Sequence, residues 1–179
     1  MGSRSGEMSR NQTCWKAPGR DAIKINTDAA WKEKNGTSSI ALIARNHQGR
    51  MLTGAAMNWP SPSSLIVEAS ALREALILAS NLGWDRIVIE SDCLPLIDAC
   101  ERKRTIGEIQ MIVEDINKLK SNFVCCNLNW IPRRINKAAH STAQLHALNQ
   151  FPSNWCMAPP PSLAAILRLD GRQFALEPD

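Results

Sequence analysis

Between Ile23 and Trp31 the side chains change character at almost every residue. Ile23, Ile25 and Thr27 share one parity, and Lys24, Asn26 and Asp28 share the other. Successive strand side chains point to opposite faces, so a period of two predicts a half-buried β-strand. The charged stretch K-E-K-N-G-T at residues 32–37 follows, and its Asn35-Gly36 pair is a hairpin signal. Ser38–Arg45 reads as a second strand, His47-Gln48-Gly49 as a tight turn, and Arg50–Trp59 as a third strand. The chain therefore opens as a three-stranded antiparallel meander.

The period then changes. Pro60–Ser64, P-S-P-S-S, ends the sheet and offers N-caps. Leu65, Leu72, Ala75 and Ala79 recur at helical spacing, which predicts a helix from about Leu65 to Leu82, closed by Gly83. Arg86–Ser91 carries a continuous apolar run, I-V-I, as expected of a strand covered on both faces. Leu94–Arg102 reads as a short helix, with Pro95 tolerated in its first turn. Ile106–Ser121 is an amphipathic helix with Ile109, Ile112, Val113, Ile116 and Leu119 on one side. Phe123–Ile131 reads as a fifth strand and Asn136–Leu148 as a last helix. The order β-β-β-α-β-α-α-β-α implies parallel pairing through right-handed crossovers. The expected fold class is α/β: a mixed five-stranded sheet, antiparallel in its first three strands and then parallel, with helices on both faces.

At 179 residues the chain fits one domain with tails. The expected division is a flexible leader at 1–21, a domain at 22–150 and a Pro-rich tail at 151–179. Within that tail, Leu163–Leu169 can dock as a short helix or stay mobile. No apolar run approaches the roughly 20 residues needed to cross a bilayer, and the first residues lack the apolar core of a secretory signal. An intracellular protein of nucleus or cytoplasm, with no membrane partner, is expected. Its six cysteines form no C-x-x-C pair, so free thiols are expected rather than disulfides or a zinc site. A net charge of +4 is compatible with a phosphate-bearing partner without requiring one. A monomer is expected.

Three acids stand out by position. Asp28 lies near the end of the first strand, followed by two small residues. Taken alone it sits on the polar parity, where a surface acid belongs. Glu68 falls inside the apolar stripe of the first helix, where an unpaired carboxylate would cost several kcal/mol. At the helix edge it would instead turn to water. Asp92 follows the buried strand, at the end where ligand crevices form in open α/β sheets. If the three meet in space, they make a hard-oxygen site for divalent metal.

Four fragments carry a resemblance: I-K-I-N-T-D-A-A-W, V-E-A-S-A-L-R-E-A-L, I-V-I-E-S-D-C-L and W-I-P-R-R-I-N-K-A-A-H. In this order and on these elements they resemble the type 1 ribonuclease H domain. More narrowly, they are similar to the reverse-transcriptase-like domains of plants related to non-LTR retrotransposons. The likeness covers about residues 15–150. It implies a metal-dependent endonuclease that cuts the RNA strand of an RNA–DNA hybrid. It implies two Mg²⁺ ions, with Mn²⁺ as a substitute, held by Asp28, Glu68 and Asp92. The family's fourth acid lies four residues after the motif's Asn; here Asn136 is in place but the fourth position is His140. A family histidine that assists proton or product release is replaced by Trp130. The three acids favour a hybrid ribonuclease, with His140 as a weaker fourth catalytic group. The two departures favour a catalytically weak or inactive nucleic-acid-binding domain derived from a retroelement. Expected contacts to nucleic acid are Lys32, Lys34, Asn35, Arg102, Lys103, Arg104, Arg133, Arg134, Asn136 and Lys137, mostly through phosphates.

Overall fold

Five strands form one sheet in the order β3-β2-β1-β4-β5. They are β1 (Ile23–Lys32), β2 (Thr37–Arg45), β3 (Met51–Asn58), β4 (Arg86–Ser91) and β5 (Cys125–Trp130). Among the described residues, five helices accompany them: α1 (Ser64–Asn81), α2 (Leu94–Cys100), α3 (Gln110–Lys120), α4 (Lys137–Ala147) and α5 (Pro161–Phe174). The computed structural model describes residues 12–32 and 37–174. The expectation of a flexible leader therefore falls mostly outside the described residues. The strands and first four helices appear where the periodicity places them. The amphipathic segment 106–121 opens with a 3₁₀ turn, Gly107–Ile109, before α3.

The pairing is antiparallel for β1–β2 and β2–β3 and parallel for β1–β4 and β4–β5. This is the mixed sheet the element order implies. Thr27 on β1 pairs with Ser91 on β4. Asp28 and Asp92 are the next residue on each chain, so parallel register alone brings both acids out at the same end. On one face α1, α2 and α3 bury Ile25, Leu42, Ile87 and Ile89 against Leu72, Leu76 and Ile116. Ser63 caps α1, its Oγ accepting from the Leu65 N–H at 3.2 Å. Gly83, at φ +69°, follows the C-terminus of that helix in the left-handed region.

The other face corrects one expectation and shows packing that the pattern left open. First, β1 is not half-exposed. Asn26 and Asp28 have no exposure and Lys24 only 7%. β1 is the central strand, and its polar parity is covered, so its polar groups are paired rather than hydrated. Lys24 Nζ lies 2.6 Å from Glu90 Oε1, and Asn26 Nδ2 donates to Glu90 Oε2 at 2.9 Å. Asn26 Oδ1 accepts from Trp15 Nε1 and from Arg45 Nη2. The Arg45 guanidinium stacks 3.5 Å from the centre of the Trp15 ring and pairs with Asp170 at 2.6 Å.

Second, the described parts of the leader and tail pack on the core. Trp15 is buried with Ile131 and Ile135. Leu163, in α5, has no exposure and clusters with Ile43, Ala138, Ala139 and Trp155. Trp155 lies against Gly54, where an added Cβ would fall 2.4 Å from the indole and 2.7 Å from the Leu42 carbonyl oxygen. Of the two readings left open for Leu163–Leu169, the docked helix is the observed one. Pattern alone did not decide this, because α5 packs on Ile43 and pairs with the buried Arg45, both more than a hundred residues away in sequence.

Asp170→Ala strands Arg45 as a buried, unpaired charge. We expect a loss of about 3 kcal/mol, and a melting temperature lower by roughly 5–10 °C in thermal unfolding by circular dichroism. An unchanged melting temperature would show that α5 adds nothing to the domain.

Candidate active site

Each acid reaches the same point from a different element. Asp28 is carried by β1, Glu68 by the second turn of α1, and Asp92 by the residue after β4. Carboxylate oxygens of the three all lie within 4.8 Å of one another. Two like charges about 5 Å apart repel by about 3 kcal/mol at an effective dielectric near 20. That exceeds the roughly 1 kcal/mol of a typical net hydrogen bond, so few local bonds can offset it.

The local bonds are specific. Asp28 Oδ2 accepts from His140 Nδ1 at 2.7 Å, while Asp28 Oδ1 is buried with no hydrogen-bond partner among the described residues. Glu68 accepts from the Ala29 N–H, and its Oε2 has no partner. Asp92 Oδ2 accepts from Arg133 Nε at 2.8 Å, and the Asp92 carbonyl accepts from Trp130 Nε1 at 3.0 Å. Two buried carboxylate oxygens are thus left bare beside a third acid. Hard, charged oxygen donors in this number fit a divalent cation such as Mg²⁺ or Mn²⁺.

Protonation follows the same electrostatics. Burial raises the pKa of Asp28 despite the bond from His140. Glu68 is raised well above its ordinary value, first by burial and then by the charges of Asp28 and Asp92. His140 is raised chiefly by its hydrogen bond to Asp28. Cys93, beside Asp92, is pushed up to about 11, mainly by burial, so its thiol stays protonated at neutral pH.

Glu68 and Asp92 line an open cleft of about 810 Å³ between the ends of β1, α1 and α4, with Asp28 buried behind them. His140, Arg133 and Lys32 line it with them. Arg134 and Lys137 are exposed nearby in sequence, and Arg134 Nη2 donates to the Gln12 carbonyl at 3.1 Å. The other expected contacts separate from this group. Arg102 and Arg104 line a different groove, of about 620 Å³, with Gln110, Asn117 and Lys118. It lies past the C-terminal end of α2, whose N-terminal end meets the cleft. Lys103 is paired with Glu101 and Asp98. Lys34 and Asn35 lie outside the described residues. Asn136 needs correction as a contact residue: it is 1% exposed, and its Nδ2 donates to the Thr27 carbonyl at 2.8 Å. It fastens the start of α4 to the strand residue before Asp28.

Trp130 is more than a departure from a motif. Its indole fixes the backbone at Asp92, a role that follows from Ser91 pairing with Trp130 across β4 and β5. The signal in the sequence was its place at the end of the fifth strand, which says nothing of its neighbour without the register.

A family model described as reverse transcriptase-like matches residues 26–146. The chain belongs to this family. Among solved structures it is similar to RNase H1 from Halobacterium salinarum, with 17% identity and a TM-score of 0.67 over 73% of this chain and 99% of that one. It is also similar to the N-terminal RNase H domain of a Mycobacterium tuberculosis protein, at 18% identity and a TM-score of 0.65 over 72% and 94% of the two chains. A third is an RNase H1 isolated from compost, solved in complex with RNA/DNA hybrid, at 18% identity and a TM-score of 0.62 over 68% and 94%. No curated protein is a significant match by sequence. These likenesses establish the ribonuclease H fold of this reverse transcriptase-like chain. No helix among its described residues is long and apolar enough to cross a membrane.

The crowding predicts a stability trade-off. Glu68 holds its proton more tightly in the folded chain than in the unfolded one. The stability this contributes is complete below its ordinary pKa of 4.5 and is lost as pH rises through the raised value. In EDTA at neutral pH, Glu68→Gln should therefore be more stable than the wild type by about 1–2 kcal/mol. The gap should close as the pH falls toward 4, followed by thermal melting. A wild type at least as stable as the variant at neutral pH would sink this account.

Proposed function

We propose that this chain is a metal-dependent endonuclease that hydrolyses the RNA strand of RNA–DNA hybrids. The observation that carries the reading is the convergence of Asp28, Glu68 and Asp92, with carboxylate oxygens within 4.8 Å and two of them buried and unpartnered. The ribonuclease H fold, and a structural neighbour complexed with RNA/DNA hybrid, support the substrate class. Asp28, Glu68 and Asp92 would hold two Mg²⁺ ions, with Mn²⁺ as a substitute. Such a pair supplies an activated water and stabilises the leaving oxygen of an in-line displacement at phosphorus.

The chain's own residues prepare that site. His140 holds one oxygen of Asp28 and leaves the other, Oδ1, without a hydrogen bond among the described residues. The Ala29 N–H orients Glu68 in the same way. Trp130 fixes the backbone of Asp92. Arg133, Lys32, Arg134 and Lys137 supply positive charge for the phosphates of the hybrid; Arg102 and Arg104 form a second basic surface. Discrimination of RNA from DNA requires contact with 2′-hydroxyls, for which the backbone at Asp92-Cys93, on the cleft wall, is well placed.

A second reading has its own observation. His140 spends a ring nitrogen on Asp28 where a fourth carboxylate would add negative charge. This favours weakened catalysis, and in the limit a nucleic-acid-binding domain that does not cut. His140 also offers a proton donor that a carboxylate does not.

A labelled hybrid incubated with Mg²⁺, Mn²⁺ or EDTA separates the readings. The nuclease cuts only the RNA strand, only with metal, and Asp92→Asn reduces cutting to background. His140→Asp should raise the rate by roughly tenfold, the equivalent of about 1.4 kcal/mol of added metal binding. Hybrid binding with no cutting in either metal leaves the second reading. A lower rate in His140→Asp gives His140 a catalytic role of its own.

A further inference from the structure

Without metal, the three acids are not left to repel one another unopposed. A guanidinium is bound to one of them. Arg133 donates through Nε to Asp92 Oδ2 at 2.8 Å, and its charge acts on Asp28 and Glu68 as well. The two partners are unequally placed. The Asp92 side chain is 4% exposed and that of Arg133 is 64% exposed. The arginine therefore reaches in from solvent and closes on a nearly buried carboxylate.

The backbone that carries it is held on both sides. Ile131 and Ile135 are buried against Trp15, and Asn136 is bonded to the Thr27 carbonyl. Only the side chain has freedom to leave. Its present bond is weak in net terms, because an exposed partner pays entropy and competes with water. Its donors suit a phosphate oxygen as well as a carboxylate. A divalent cation on Asp92 would repel it, and a phosphate brought to the cleft would attract it. Both act in the same direction.

We propose that Arg133 is an exchangeable counter-ion that couples metal binding to nucleic-acid binding. It sits on Asp92 in the metal-free protein, leaves when a divalent cation takes that carboxylate, and then holds a phosphate of the hybrid. The proposal rests on the metal-dependent reading above and adds a coupling between the two ligands. Because coupling is reciprocal, the hybrid must also strengthen metal binding by drawing the guanidinium away.

Two titrations of the full chain test this. In the first, Mg²⁺ is titrated by calorimetry without nucleic acid into the wild type, Arg133→Gln and Arg134→Gln. Removing the competitor should tighten Mg²⁺ about threefold to fivefold in Arg133→Gln. Arg134→Gln loses the same charge from the neighbouring residue and should change the affinity less than about twofold. In the second, hybrid affinity is measured by fluorescence anisotropy in EDTA and in Ca²⁺, a hard cation that takes the same oxygen ligands. Arg133→Gln should weaken binding less than about twofold in EDTA, where the arginine is tied to Asp92, and about fivefold in Ca²⁺. Equal penalties in the two buffers would make Arg133 a fixed phosphate contact and overturn the coupling. Unchanged or weaker Mg²⁺ binding in Arg133→Gln would overturn it too, while leaving the nuclease reading intact. If neither the wild type nor Arg133→Gln binds Mg²⁺, the metal-dependent reading falls with it.

Discussion

Like charges forced together at the end of a buried strand dominate this molecule. Asp28 has no exposure, Glu68 has 8%, and both share a pocket with Asp92. The mutual repulsion of such a cluster works against the fold. The cluster is held in place from outside, by the apolar packing of α1 against β1 and by the parallel pairing of β1 with β4. Burial of an ordinary apolar side chain contributes about 1.5–3 kcal/mol. The many such contacts of α1 outweigh the repulsion of one misplaced carboxylate. A helix with a thinner apolar stripe could not carry Glu68 to this position.

A second polar cluster lies on the same face of β1, and the contrast is instructive. Lys24, Glu90, Asn26 and Arg45 are as buried as the acids, with Asp170 half-buried beside them, but their charges alternate and most of their donors are used. Arg45 Nε alone among them lacks a partner, and that guanidinium stacks on Trp15. Opposite charges in register stabilise a particular packing of strands and of α5. Like charges with bare oxygens do the reverse, and a bound cation is the natural complement. Two residues apart on one strand, Asn26 belongs to the structural network and Asp28 to the chemical one.

His140 changes the balance at this site. It replaces a formal negative charge by a group that donates to Asp28 and is itself made more basic by doing so. Together with Arg133 it leaves the metal-free cluster less negative than four carboxylates would be. The acids are thereby easier to hold together in the folded chain.

The hydrophobic pattern was enough to find the strands, the first four helices and a mixed sheet, antiparallel and then parallel, but not that β4 lies beside β1. Those features depend on which residues seek burial, and burial periodicity is written locally. Asp28, Glu68 and Asp92 were visible as acids at privileged ends of elements, and motif likeness joined them. Their convergence was decided by register, since Thr27 pairs with Ser91 and a slip of one residue would send one acid to the opposite face. Local pattern could not show that Asn136 is a buried clamp, that Arg45 waits for Asp170, or that Trp155 fills the space left by Gly54. Each is a meeting of residues far apart in the chain, and only packing in three dimensions determines which polar group finds its partner and which is left bare.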